Sequence, residues 1–205
     1  MPRTLVIDTA TAACSVALLD DGRVHAAIHN VVGRGHAERL VPMIADLPGG
    51  GRADEIMVDV GPGSFTGIRV GIAAARGLGL GWNVPVRGYS SLSLIAAAAF
   101  ADGGNAPLAV VLEGGHGEVF MQGFTASPLV PTEALASLRP DAALAALGGR
   151  VAVGNGVRWL TQLDPTLAAR EALPDASKAH LLPADLANLP PRPLYGRAPD
   201  AKLPS

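Results

Sequence analysis

Apolar residues come in short runs separated by turn residues over the first thirty positions. Leu5-Val6-Ile7 ends at Asp8, residues 15–19 form a second run closed by Asp20-Asp21-Gly22, and residues 24–28 form a third. Runs of this kind predict strands, and their quick succession predicts an antiparallel meander. The period then changes. Leu40, Met43, Ile44 and Leu47 recur at i, i+3, i+4 and i+7, which predicts a helix over 36–47 ended by Pro48-Gly49-Gly50-Gly51. Residues 56–60 return to a strand, Gly61-Pro62-Gly63-Ser64 is a turn, and a long helix runs to about Gly81. Val84-Pro85-Val86 is a short extended piece, and Ser90 or Ser91 caps a helix to about Phe100. The order βββ-α-β-α-β-α predicts a layered α/β unit on a mixed sheet.

Asp102-Gly103-Gly104-Asn105 is the candidate boundary, dividing a lobe at 1–102 from a smaller one at 103–205. Beyond it, 108–112 and 118–124 resemble strands, and Pro140 opens a short helix to Leu147. Residues 151–153 lead into Gly154-Asn155-Gly156, and the tail from Pro190 is rich in proline and reads as extended.

Of the 205 residues, 49% are hydrophobic, enough for a sizeable core, so disorder is excluded as the main reading. Net charge is -2, and residues 1–103 hold eight arginines against nine acids. A chain that reads nucleic acid alone usually carries a basic surplus, so tRNA is expected only through a complex. The single cysteine, Cys14, forms no internal disulfide and fits a reducing, cytoplasmic compartment. The opening residues read as the approach to a strand rather than a signal segment, and no membrane span is expected.

The densest feature is the segment Gly61-Pro62-Gly63-Ser64-Phe65-Thr66-Gly67-Ile68-Arg69 between a strand and a helix. A helix N-terminus offers free N–H groups to phosphate. Yet Ile68 replaces the lysine of a phosphate loop, Thr66 replaces the third glycine of a dinucleotide loop, and Ser64 is out of place for a nucleophile elbow. A tight turn capped by Ser64 competes with phosphate binding. Gly67, Gly71, Ala75 and Gly79 lie four apart on one helix face, which calls for a close backbone neighbour, intramolecular or not. Asp8-Thr9 at a strand end could position a cation and phosphate, or form an Asx turn. His25 and His29 make at most half a zinc site. His36 reads as part of a helix start, Cys14 as core filler and His116 as a surface residue of a glycine-rich turn.

Together, residues 5–10, 14–18, 34–38 and 61–69 resemble the TsaB (YeaZ-like) family of tRNA threonylcarbamoyladenosine (t6A) biosynthesis, closely over about 4–100 and in patches beyond. Gly154-Asn155-Gly156 and Pro193-Leu194-Tyr195-Gly196-Arg197 are also family-like. The resemblance implies an actin/Hsp70-like (ASKHA, RNase H-like) α/β fold of two lobes, the second reduced. It implies a non-catalytic subunit that pairs with and activates a TsaD transferase, helps recruit a TsaE ATPase, and forms a homodimer when alone. ATP and a metal ion would belong to the partner subunits, with no cofactor, metal or catalytic residue in this chain. It also turns the glycine face outward: Leu40, Met43, Ile44, Gly67, Ile68, Gly71, Ile72, Ala75 and Leu78 would form the partner surface, and Ile72→Arg would break pairing while sparing the monomer. Asp8, Thr9, Gly63 and Ser64 would be a vestigial nucleotide site. A nucleotide-dependent ATPase or kinase of the same superfamily, or a peptidase-like protein, is the alternative. One departure stands out: where the family is more basic, this chain has Glu113-Gly114-Gly115-His116-Gly117.

Overall fold

In the computed structural model, which describes residues 2–196, the first sheet carries β1 (Arg3–Asp8), β2 (Ala13–Asp20), β3 (Arg23–Val31), β4 (Glu55–Asp59) and β5 (Val86–Tyr89) in the order β3-β2-β1-β4-β5. The meander β1–β3 is antiparallel, with Leu5 opposite Leu18. β1, β4 and β5 run parallel, with Ile7 beside Val58. α1 (His36–Ala45) and α2 (Phe65–Trp82) connect these strands, and α3 (Ser91–Ala101) follows β5. Central β1 is covered on both faces, which explains its unbroken apolar run. Leu5 and Ile7 face α1 and α2, whereas Val6 faces α3, as the two-residue period of a strand requires. α1 ends at Ala45, two residues short of the expected Leu47, and a single 3-10 turn at Pro48–Gly51 follows.

The second sheet holds β6 (Leu108–Glu113), β7 (Val119–Ala126), β8 (Leu129–Pro131), β10 (Val151–Val153) and β11 (Ala169–Arg170), ordered β11-β10-β6-β7-β8. β9 (Ala136–Leu138) also pairs with β7, and α4 (Pro140–Ala146) and α5 (Val157–Thr161) complete this lobe. α3 is apolar almost all round because it is shared. Leu94 and Ala97 pack towards the first sheet, while Leu92, Ile95 and Ala99 pack with Leu108, Val110 and Phe124 of the second.

The chain then returns to the first sheet. A 3-10 helix at Ala176–Leu181 lies over β1–β3, with the Ala176 N–H donating to Ser15 Oγ at 3.0 Å, and Leu189 bridges to Gly88 at the edge of β5. The two sheets change over at Asp102-Gly103-Gly104-Asn105, but the segment around 176–189 packs with the first lobe rather than the second. Among the described residues, no helix is long and apolar enough to cross a membrane.

Candidate functional site

The segment 61–69 is held from behind by Asp59 at the end of β4. Its carboxylate accepts hydrogen bonds from the Gly61 N–H at 2.7 Å, the Ser91 N–H at 3.1 Å and Ser91 Oγ at 2.5 Å. Ser64 caps α2, its Oγ accepting from the Gly67 N–H at 3.2 Å, and its own N–H donates to the Ala10 carbonyl at 2.6 Å. A Cβ at Gly63 or Gly67 would collide with the carbonyls of Ala10 or Thr9. These two glycines therefore let the start of α2 press against the β1–β2 loop.

This junction forms one wall of a cleft of about 1000 Å³ between the lobes. Ala10, Thr11 and Ala12 line it with Gly63, Ser64, Phe65 and Arg69. Opposite stand Glu113, Gly114, Gly115, His116, Phe120 and Asn155. Asn155 Oδ1 accepts from the Glu113 N–H at 3.0 Å, while Gly154 and Gly156 lie too close to Val111 and Leu112 for any side chain. Glu113, Gly114, Gly115 and His116 thus face the start of α2, and Glu113 is paired to Arg158 at 2.5 Å.

The four residues of the expected nucleotide set separate. Gly63 and Ser64 line the cleft; Asp8 and Thr9 do not. Thr9 Oγ1 donates to the Gly67 carbonyl at 2.7 Å, and Asp8 is fully buried, with Oδ2 at 3.1 Å from the Tyr89 hydroxyl. The Ala10 N–H reaches Asp8 Oδ1 at 3.4 Å, the Asx-turn alternative. A cation-binding site needs an ionised carboxylate in the cleft, and β1 supplies none. Burial, then the neighbouring Asp59 carboxylate, holds the Asp8 carboxyl well above its ordinary range. Burial likewise pushes Asp59 up to about 6, against hydrogen bonds from Ser91 and Gly61 that favour its charged form.

The remaining candidates are structural or exposed. Cys14 is buried, and burial followed by the charge of Asp8 pushes its thiol up to about 11. His36 Nε2 lies 3.1 Å from the Ala13 carbonyl, which only accepts, so that nitrogen carries the proton. His25 sits on β3 with Nδ1 at 3.4 Å from Asp20, and among the described residues no cluster of three or more His, Cys, Asp or Glu could hold a metal.

The expected partner surface requires correction. Leu40, Met43, Ile44, Ile68, Ile72 and Ala75 all belong to the chain's own core, with Ile72 only 6% exposed, and Leu78 packs against that core. Gly67 and Gly71 press on Thr9, and Gly79 presses on Val86. The stripe is thus explained within the chain. A second, interleaved stripe was missed. Ala73, Gly77 and Gly81 face outward beside Leu80, which is 86% exposed, and nothing lies within 4 Å of a Cβ placed at Gly77 or Gly81. On α1 the outward apolar residue is Val41, 62% exposed.

Comparison with known proteins agrees with this architecture. The family model for TsaD, tRNA N6-adenosine threonylcarbamoyltransferase, matches residues 28–127. The tRNA threonylcarbamoyladenosine biosynthesis protein TsaB of Escherichia coli is 41% identical over 123 residues, 58% of this chain and 53% of that protein. The match thus spans about half the length of that curated relative. An uncharacterised protein of Mycobacterium tuberculosis is 33% identical over 97% of this chain and 93% of its own length. A Pseudomonas aeruginosa crystal structure, described as an uncharacterised protein with similarity to peptidase YeaZ, superposes with a TM-score of 0.79 at 30% identity, covering 96% of this chain and all of that one. Residues 197–205, including Arg197 of the family-like ending, lie outside the described residues. With its two mixed sheets about a central cleft, a YeaZ-like structure matched over 96% of its length and TsaB over 58%, the chain belongs to the TsaB/YeaZ-like family and has that family's two-sheet α/β fold.

Proposed function

We propose that this chain is a non-catalytic, cytoplasmic subunit for t6A formation on tRNA, pairing with and activating a TsaD-like transferase. The observation that carries the pairing is the outer face of α2. Gly77 and Gly81 each cost a helix about 1 kcal/mol relative to alanine, and among the described residues nothing presses on either. Small residues beside exposed Leu80 leave room for a second helix to approach closely. The partner surface is therefore Val41 on α1 with Ala73, Gly77 and Leu80 on α2. The same face would serve a homodimer when the transferase is absent. A TsaE-like ATPase would join the pair, ATP and the metal would reside on the partners, and tRNA would be met through the complex.

The buried chemistry supports the accessory role. A thiol held protonated, as Cys14 is, has the opposite environment to a nucleophile's. Asp8, turned into the protein, cannot serve phosphoryl transfer in the cleft.

Leu80→Arg tests the pairing. We expect binding to the purified transferase to weaken at least tenfold, while the monomer's stability changes by no more than about 0.5 kcal/mol, as for most exposed substitutions. Undiminished binding by a folded Leu80→Arg chain would overturn the assignment of this face.

A further inference from the structure

The lobes are joined by α3, by the connection at 102–105 and by the return of the chain between β11 and the 3-10 helix, and a further contact spans the cleft. After bridging to Gly88, the returning chain reaches the residue that follows β4, where the Leu194 N–H donates to the Val60 carbonyl at 2.7 Å. The next residue, Tyr195, accepts a hydrogen bond from Arg69 Nη2 at 2.6 Å. The Arg69 guanidinium lies 3.2 Å from the Phe65 ring centroid and 5.5 Å from that of Tyr195, and it also donates to the Phe65 carbonyl at 3.2 Å. Cation–π contacts of this kind hold a planar guanidinium in place. One residue further, Gly196 meets the second lobe, where a Cβ would lie 2.5 Å from Phe120 Cδ1 and 3.5 Å from Leu135 Cδ2.

Three consecutive residues therefore touch Val60 just after β4, α2 and the ring of Phe120 on β7. All three also line the cleft. Phe65 is 66% exposed and Tyr195 more than half exposed, so the stack rests on polar and cation–π contacts more than on buried apolar area. Gly103 and Gly104, both with positive φ and no neighbour within 4 Å of a Cβ, supply a connection able to bend.

We propose that residues 194–196 are a releasable latch across the cleft mouth. Arg69 clamps Tyr195 to the first lobe, Gly196 seats against Phe120 of the second, and release lets the lobes separate about α3 and the two chain crossings beside it. This inference is independent of the t6A reading, because it concerns how the cleft of the isolated chain opens.

The test is a distance distribution between spin labels on the full chain, diluted with excess unlabelled chain so that only intramolecular pairs are read, at Arg76→Cys in the first lobe and Ala145→Cys in the second, in a Cys14→Ala background. Both labelled positions are exposed. We expect one narrow distribution in the otherwise unsubstituted chain. Tyr195→Ala and Gly196→Val should each broaden it and move it to longer distances by several ångströms, with unchanged circular dichroism. Arg69→Lys, which keeps the charge and loses the planar stack, should do the same, and it serves if either tail variant folds poorly. A distribution equally narrow in folded variants, or one already broad without them, overturns the latch.

Discussion

Replacing Gly71 and Gly77 by alanine, one at a time, separates the two faces of α2. Both positions lie inside the helix, so the substitutions share a propensity gain of about 1 kcal/mol. They differ in what the new methyl meets. At Gly71 it would lie 2.5 Å from Thr9 Oγ1 and 3.5 Å from Val58 Cγ2. Thr9 is buried and its hydroxyl is bonded to the Gly67 carbonyl at 2.7 Å, so it cannot swing clear. Overpacking costs about 1–3 kcal/mol and the strained hydrogen bond about another 1 kcal/mol. The net expectation for Gly71→Ala is a loss of about 1–3 kcal/mol. At Gly77 nothing lies within 4 Å, so the propensity gain stands. Urea denaturation followed by circular dichroism, at a concentration where the chain is monomeric, should place the variants on opposite sides of the wild type. Their separation should be about 2–4 kcal/mol, or about 4–16 °C in Tm. Equal shifts of the same sign would refute the orientation of α2, and with it the division between inner and outer stripes.

The buried pair predicts an unusual pH dependence. Asp8 and Asp59 hold their protons more tightly folded than unfolded, so the folded state binds more protons above about pH 4. Stability contributed by Asp59 is present at low pH and falls as pH rises from its ordinary 3.8 through about 6, and the Asp8 contribution continues to fall above that. Asp8→Asn, which cannot ionise, should be more stable than wild type at pH 8, with a flatter profile in chemical denaturation. A variant less stable at every pH would contradict this. Ile72→Arg should lower Tm by 10 °C or more on the order-of-magnitude cost of an unpaired buried charge, unlike Leu80→Arg; a folded, wild-type-like Ile72→Arg chain would restore Ile72 to the partner surface.

Much of the first lobe was legible because its elements are long and each signal is local. The meander, both connecting helices and the capping serine before α3 follow from period and turn chemistry. The second lobe was harder to read. β8, β9 and β11 have two or three residues each, too few to show a period, and their pairing is set by β7 and β10. The 3-10 helix over the first sheet was missed because its main anchor, Ser15, lies 161 residues away. The spacing of four in α2 correctly demanded a close neighbour. It could not say which neighbour, because the helix is apolar or small nearly all round and contains two such stripes. Only the sheet decides, by presenting Thr9 and Val86 to one of them. Asp8 looked like a ligand for similar reasons, since a carboxylate at a strand end reads alike whether it faces a cleft or Tyr89.

The central claim is that this chain serves t6A formation through the outer face of α2. Its most direct test is the t6A content of bulk tRNA, measured by nucleoside mass spectrometry after depletion of the protein. The account predicts loss of t6A on depletion, with restoration by the wild type and failure of Leu80→Arg to restore it. Normal t6A after confirmed depletion would contradict the function, and full rescue by Leu80→Arg would contradict the surface.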